Sequence, residues 1–567
     1  MRASGILLPV SSLPSRYGIG GFTKEAYDWI DFLKKSGQTF WQILPLGHTS
    51  YGDSPYQPYS TIAGNPYFVS LDDLIEEKLL TKEECDAAQL GTNLSYVDYG
   101  KQFENRYPLL RRAYQRDKER DQTGFENFWK QEADWLPDYA LFMALKDKHD
   151  KKAWYEWKEP YRKREPKAIA EAKKELEDDI SFHAHVQYWF MKQWVKLKAY
   201  AVSRGIRIIG DLPIYVAHDS ADAWTNPQLF QFDEDLNPKS VAGVPPDFFS
   251  EDGQLWGNPL YDWDYHKKTG YAWWIGRIRH ASALYDVMRF DHFRGFDEYF
   301  AIPFGEKTAK KGKWCPGPGM ELMRAIEENV PNVEIIAEDL GVVTDSVKKL
   351  VADSGYPCMK VVEFAFDSDS ENAFLPHNYD TTNCVVYTGT HDNETLFQYV
   401  TGASEREREH IKNYMNRFWD TDEQLCDNLV RLAMLSIGKY CIIPIQDYLH
   451  LGKEARMNFP STTGGNWEWR LTKDQITENL SGFIANITRV SGRWPKPQPE
   501  KKDGEAAVEE ATGKEDCETA VEKDDRKAVA EETAGNEYCE AAAEEEVGKK
   551  DSEAVADKSA GKEFELS

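Results

Sequence analysis

The sequence predicts an α/β protein: a (β/α)8 TIM barrel with large inserted helical subdomains after strands 2 and 3, followed by a disordered C-terminal tail. Three observations predict it. Eight short runs dominated by Val, Ile and Leu lack the polar alternation of a half-exposed sheet, which suits parallel strands covered on both faces. Long, mostly helical stretches separate these runs, the alternation a barrel requires. The chain has 567 residues, 41% of them hydrophobic, enough to bury a large core.

In order, the runs cover residues 6–10, 40–44, 206–210, 287–290, 333–337, 359–364, 384–387 and 440–444. The first has no basic segment before it and no small-residue cleavage site after it, so it reads as a strand and not a secretion signal. About 160 residues separate the second and third runs and about 75 the third and fourth. Those gaps hold the insertions, roughly 47–200 and 215–280. Residues 129–200, rich in Lys, Glu, Ala and Trp, read as helical, with a charged, solvated face over 156–174. At Trp494-Pro495-Lys496-Pro497-Gln498-Pro499 the composition changes to an Ala/Glu/Lys tract. Residues 501–567 hold 10 basic and 22 acidic side chains, one Tyr, one Phe and no Trp, too little apolar surface to offset the entropy of ordering. The expected division is therefore a barrel over 1–495 and an acidic low-complexity tail over 496–567.

The net charge of −27 argues against nucleic acid or an anionic membrane as partner, and no apolar run reaches the length of about 18 residues that a membrane-spanning helix needs. Eight cysteines without a CxxC pair read as free thiols in a reducing compartment, so a cytoplasmic location is expected. The 18 Trp, 29 Tyr and 27 Phe fit a large core, and equally a set of platforms for stacking sugar rings.

In such a barrel the reactive groups stand at the C-terminal ends of strands. Here those ends are polar: Asp211 after the third run, Arg289-Phe290-Asp291-His292-Phe293-Arg294-Gly295 at the fourth, Ala337-Glu338-Asp339-Leu340-Gly341 at the fifth, Thr390-His391-Asp392-Asn393-Glu394 after the seventh and Gln446-Asp447 after the eighth. Converging carboxylates can bind a divalent cation, form an ion-pair network or act as a glycosidase pair. No HxxxH or DxDxDG pattern supports a metal, and no cofactor is implied. Arg289 and Asp291 lie two apart and so face the same side of a strand, where the guanidinium is expected to keep the carboxylate ionised as a nucleophile must be. Glu338 has no basic neighbour in its motif, so its pKa should rise, as suits a proton donor.

These motifs, together with Ser11-Ser12-Leu13-Pro14-Ser15, Trp41-Gln42-Ile43-Leu44-Pro45-Leu46, Asp53-Ser54-Pro55-Tyr56-Gln57 and Gly253-Gln254-Leu255-Trp256-Gly257-Asn258-Pro259, closely resemble the 4-alpha-glucanotransferases (amylomaltases and plant disproportionating enzymes) of the alpha-amylase superfamily. The resemblance runs from Gly5 to Arg470 and implies a retaining transglycosidase acting on maltooligosaccharides, starch- or glycogen-derived α-glucans and glucose. It implies Asp291 as nucleophile, Glu338 as acid/base and Asp392 as the third carboxylate, with Arg289, His292 and His391 around the same sugar ring. Tyr56, Ser54, Trp256, Asp247, Gln254, Asp367 and Asn458 are the further substrate contacts it implies, and Tyr51 a residue of a remote glucan groove. Ser461 departs from the pattern, since the family usually has Gly there. Spacing alone leaves two alternatives open, an amylase-like α-1,4-glucan hydrolase and a catalytically inactive glucan-binding protein.

Overall fold

The computed structural model describes residues 2–50, 52–246, 250–462 and 464–496. The acidic tail expected beyond residue 496, with Cys517 and Cys539, therefore lies outside the described residues, as do Tyr51 and Asp247. Residues Met1–Trp494 form one compact unit.

Twelve strands are described: β1 (Ala3–Leu7), β2 (Phe40–Gln42), β3 (Arg207–Pro213), β4 (Ser240–Val244), β5 (Gln254–Pro259), β6 (Val287–Asp291), β7 (Glu298–Pro303), β8 (Lys313–Pro316), β9 (Ile335–Ala337), β10 (Cys358–Val361), β11 (Cys384–Tyr387) and β12 (Tyr440–Pro444). Eight of them make one parallel sheet in the order β10-β11-β12-β1-β2-β3-β6-β9. Each of the eight apolar runs supplies one of these strands. The sheet nearly closes on itself between β9 and β10. There the Ala337 N–H donates to the Pro357 carbonyl at 2.9 Å, and the Asp339 carboxylate accepts from the Met359 N–H at 2.8 Å, where a closed ladder would put another carbonyl.

Period-two alternation sorts the strand residues. Leu7, Ile209, Val287, Ile336, Val361, Val385 and Ile442 fill the barrel interior. Their neighbours Ile6, Ile208, Met288 and Cys441 point outward into the layer covered by helices. Helix Lys24–Lys35 shows why that layer forms: Ala26, Trp29, Ile30 and Leu33 are buried at helical spacing, with charged residues on the other face.

Strand ends differ from the apolar runs for local reasons. The first ladder stops at Leu7 because Pro9 has no N–H to give, and Val10–Ser12 turns into a 3-10 helix. The sixth stops at Val361, where the chain enters the 3-10 turn Val362–Phe364. The insertion after β2 is helical; its longest helix, Glu177–Ser203, packs on Leu136–Lys148 and Tyr99–Asp117. The insertion after β3 also contains β4 and β5, which join β7 and β8 in an antiparallel sheet of order β5-β4-β7-β8. Residues 215–280 are thus not purely helical. β5 is half-exposed and carries Gly and Pro, and β4 is only five residues long and interrupted by Gly243. No helix among the described residues is long and apolar enough to cross a membrane.

Candidate active site

Strand register brings the first group of residues together. On the parallel pair β3–β6, Arg289 stands opposite Asp211. Its Nη1 donates to both oxygens of that carboxylate, at 2.8 and 2.7 Å, and to Asp291 Oδ1 at 3.1 Å. Arg289 and Asp211 are both buried. On the next pair, β6–β9, Phe290 faces Ala337, so Asp291 and Glu338 each follow a paired residue at the same level. Parallel strands run about 4.8 Å apart, which sets the two carboxyl-bearing positions side by side at the barrel mouth.

The backbone then turns sharply. His292 adopts the left-handed conformation, with φ 52°. Its N–H donates to Glu338 Oε2 at 2.6 Å, while the Leu340 N–H donates to Oε1 at 2.9 Å. Both oxygens of Glu338 are thereby oriented. The His292 ring meets Trp256 edge to face at 4.8 Å, and Trp256 Nε1 donates to Gln254 Oε1 at 3.1 Å, so the inserted antiparallel sheet reaches the same mouth. Burial and Arg294 push His292 down to about 3, leaving a neutral imidazole.

Asp392 comes from the loop after β11. Asn458 Nδ2 donates to its Oδ1 at 2.7 Å, and His391 Nε2 lies 3.3 Å from its Oδ2. Burial opposes its charge, but His391 and Asn458 outweigh it and hold the carboxyl well below the usual range. Burial likewise works against a charged His391, and Asp392 overcomes it and raises the imidazole. Tyr56 closes the group. Its hydroxyl donates to Asp211 Oδ2 at 2.8 Å, its ring stacks on His391 at 5.1 Å, and Trp467 leans on both. The Tyr56 N–H donates to Ser54 Oγ at 3.3 Å.

The electrostatics correct one expectation. Arg289 does not hold Asp291 in the ordinary carboxylate range, because burial outweighs its pull. Burial pushes Asp291 up to about 7; Arg289 pulls against this, and the charges of Asp211, Glu338 and Asp392 add to it. Glu338 is raised as well, mainly by burial, with Arg289 and its two backbone N–H bonds opposing. Neighbouring carboxylates of this kind titrate as a unit.

Of the residues singled out in the sequence, the structure gathers Arg289, Asp291, His292, Glu338, His391, Asp392, Tyr56, Ser54, Trp256, Gln254 and Asn458 through this chain of contacts. Asp367 is exposed and accepts from Asn372 Nδ2 at 2.9 Å, with no bond to the group above. The role of Asp211 as anchor of both Arg289 and Tyr56 was not legible; its only signal is its place at a strand end. Arg456, which donates to the Asp392 carbonyl at 3.1 Å, left no signal at all. Ser461 sits at φ 65°, in the left-handed region that Gly adopts without steric cost. Among the described residues no group of three or more His, Cys, Asp or Glu side chains is arranged to hold a metal ion.

A profile of the 4-alpha-glucanotransferase family matches residues 8–476, nearly the whole of the compact unit. The chain belongs to the 4-alpha-glucanotransferase family. It is 47% identical to the 4-alpha-glucanotransferase of Clostridium butyricum over 488 residues, covering 85% of this chain and 99% of that one. With the Thermus thermophilus 4-alpha-glucanotransferase it shares 46% over 500 residues, 87% and 99% of the two chains. With the chloroplastic/amyloplastic enzyme of Solanum tuberosum it shares 41% over 500 residues, 86% and 85%. Among solved structures, the amylomaltase from Streptococcus agalactiae, in complex with acarbose, superposes with a TM-score of 0.85 at 41% identity, covering 87% of this chain and all of that one. The Corynebacterium glutamicum amylomaltase shares the fold at 17% identity and a TM-score of 0.68, covering 86% of this chain and 75% of that one.

Proposed function

We propose that this family member moves α-1,4-glucan segments from a maltooligosaccharide or a starch- or glycogen-derived donor to glucose or another glucan, by a retaining double displacement. One observation carries the reading: Asp291 and Glu338 stand at the ends of adjacent parallel strands at the same level, half-buried at one barrel mouth. Retaining enzymes need about 5–5.5 Å between nucleophile and acid/base, and side chains at the same level of neighbouring strands, whose backbones run about 4.8 Å apart, can meet that spacing.

In the first step the ionised form of Asp291 attacks the anomeric carbon. Glu338 gives its proton to the leaving glycosidic oxygen, and a covalent β-glycosyl-Asp291 forms. In the second step Glu338, now a carboxylate, takes the proton from an acceptor hydroxyl, which displaces Asp291 and restores the α-linkage. Asp392, held ionised by His391 and Asn458, accepts from ring hydroxyls of the distorted sugar. Tyr56 stacks beside the cleaved bond, and Trp256 with Gln254 covers the acceptor side, where Asp247 would join them; Asp367 and the remote Tyr51 would touch more distant glucose units. Acarbose in the S. agalactiae relative supports an α-glucan-shaped cleft. The barrel unit with its two insertions would carry all of this, the tail after residue 495 none of it, in the cytoplasm.

Maltotriose tests the reading. The purified chain should convert it to glucose plus longer oligomers with no net gain of reducing ends. Reducing ends that climb steadily without longer products would identify a hydrolase. An Asp291→Asn variant with wild-type turnover would remove the nucleophile assignment.

A further inference from the structure

Glu363 is a buried carboxylate that the chemistry above does not use. It stands in the turn at the C-terminal end of β10 and is 6% exposed. Its N–H donates to the Thr388 carbonyl at 3.1 Å, which ties the end of β10 to the start of the loop after β11. Its side chain lies against that loop. A Cβ added to Gly389 would come 2.6 Å from Glu363 Oε1 and 3.1 Å from its Cδ. Gly389 is not in the left-handed region, so a side chain there is opposed by space alone. Glu363 Oε1 has no hydrogen-bond partner. Burial first, then the charges of Asp447 and Glu394, keep its proton on well above the ordinary carboxyl range, with Arg456 opposing.

The same loop is braced from the other neighbouring strand. Asp447, after β12, accepts from Thr388 Oγ1 and, at 2.9 Å, from the Leu396 N–H, and so holds both ends of the loop. Asn393 Oδ1 accepts from the Thr390 N–H at 2.9 Å and from its Oγ1 at 2.8 Å, closing the middle. His391 and Asp392 lie between these anchors. β11 sits between β10 and β12 in the sheet, so each flanking strand contributes one carboxyl side chain to its loop.

We propose that Glu363 is a positioning residue of the transfer reaction: packed against Gly389, it sets the height of the loop that carries His391 and Asp392 and thereby their placement against the sugar. The inference rests on the role given to Asp392 above. Shortening the side chain lets the loop settle, and a misplacement of about 1 Å costs about 100-fold in rate. Contacts that tighten in the transition state are lost chiefly from kcat, so kcat should fall further than KM rises.

The experiment measures kcat and KM for maltotriose, with melting temperature, on the full chain and four variants. Glu363→Ala should lose about 10- to 100-fold in kcat. Gly389→Ala should also lose kcat, because its methyl group pushes the loop the other way. The double variant Glu363→Ala/Gly389→Ala places a methyl group where the carboxyl was, and should recover about threefold or more over the weaker single variant. Glu363→Gln, of equal length and uncharged, should keep the wild-type kcat. Wild-type kcat in Glu363→Ala, no recovery in the double variant, or a Glu363→Gln as poor as Glu363→Ala would each overturn the proposal. Should Glu363→Ala fail to fold, wild-type kcat in Gly389→Ala would overturn it. A parent chain that makes no longer products would instead sink the transferase reading.

Discussion

Asp211 holds Arg289 by two bonds and Tyr56 by one, yet in the reading above it touches no substrate. Replacing it with Asn keeps the shape and one acceptor while removing a buried negative charge. Asp211 and Asp291 bind the same nitrogen of Arg289, at 2.7 and 3.1 Å. With the two bonds spread by about 120° at that nitrogen, their oxygens are about 5 Å apart, where two unit charges repel by about 3 kcal/mol at an effective dielectric constant of 20. That is about 2 pH units for Asp291, and structural relaxation reduces it to about 1–2. The direction is fixed: with Asp211 neutral, Arg289 is left to Asp291 and the ionised nucleophile is favoured. The acid limb of kcat/KM, which reports the free enzyme, should move to lower pH by that amount. Breaking a buried ion pair costs about 3–5 kcal/mol when nothing replaces the partner; with Asp291 still present the loss of stability should be about 2. The assay is maltotriose disproportionation from pH 4 to 9 at a temperature where both proteins are folded. An acid limb that stays in place or moves up would refute the electrostatic account of Asp291.

Two further outcomes follow from the same geometry. Trp256 packs edge-on to His292 beside the carboxylates, so Trp256→Ala should admit water and raise the share of hydrolysis, read as new reducing ends per glucose transferred; an unchanged ratio would place the water barrier elsewhere. At the barrel seam, burial pushes Asp339 up to about 6. A folded value above the unfolded one, about 3.9, means that its stabilising contribution is complete below pH 4 and is lost as pH rises through 6. Asp339→Asn should therefore match wild type in melting temperature at pH 4 and equal or exceed it at pH 8. Asp339→Ala strands the Met359 N–H and should cost about 1–3 kcal/mol at both.

The barrel was legible in the sequence because a strand covered on both faces is mostly apolar, so each of the eight left a short run without polar alternation. The antiparallel sheet was not. β5 reads Gln-Leu-Trp-Gly-Asn-Pro, half-exposed and ended by Pro, and β7, which joins the sheet on the other side of β4, lies beyond the next barrel strand. The carboxylates were visible because a charged residue directly after an apolar strand has little to do but face the mouth. Their electrostatics were not, since the Arg289–Asp211 contact spans 78 positions and only register reveals it. The support of Asp392 by Asn458, and of its loop by Glu363 and Asp447, depends in the same way on which strands end up adjacent.

The central claim is that Asp291 carries the glycosyl unit. Peptide mass spectrometry tests it most directly, after a Glu338→Gln variant is incubated with a ring-fluorinated α-glucosyl fluoride, whose good leaving group needs no proton from residue 338. A single added glycosyl mass is expected on the peptide that contains Asp291. The same adduct on the peptide that contains Asp392, or turnover with no adduct at any carboxylate, would contradict it.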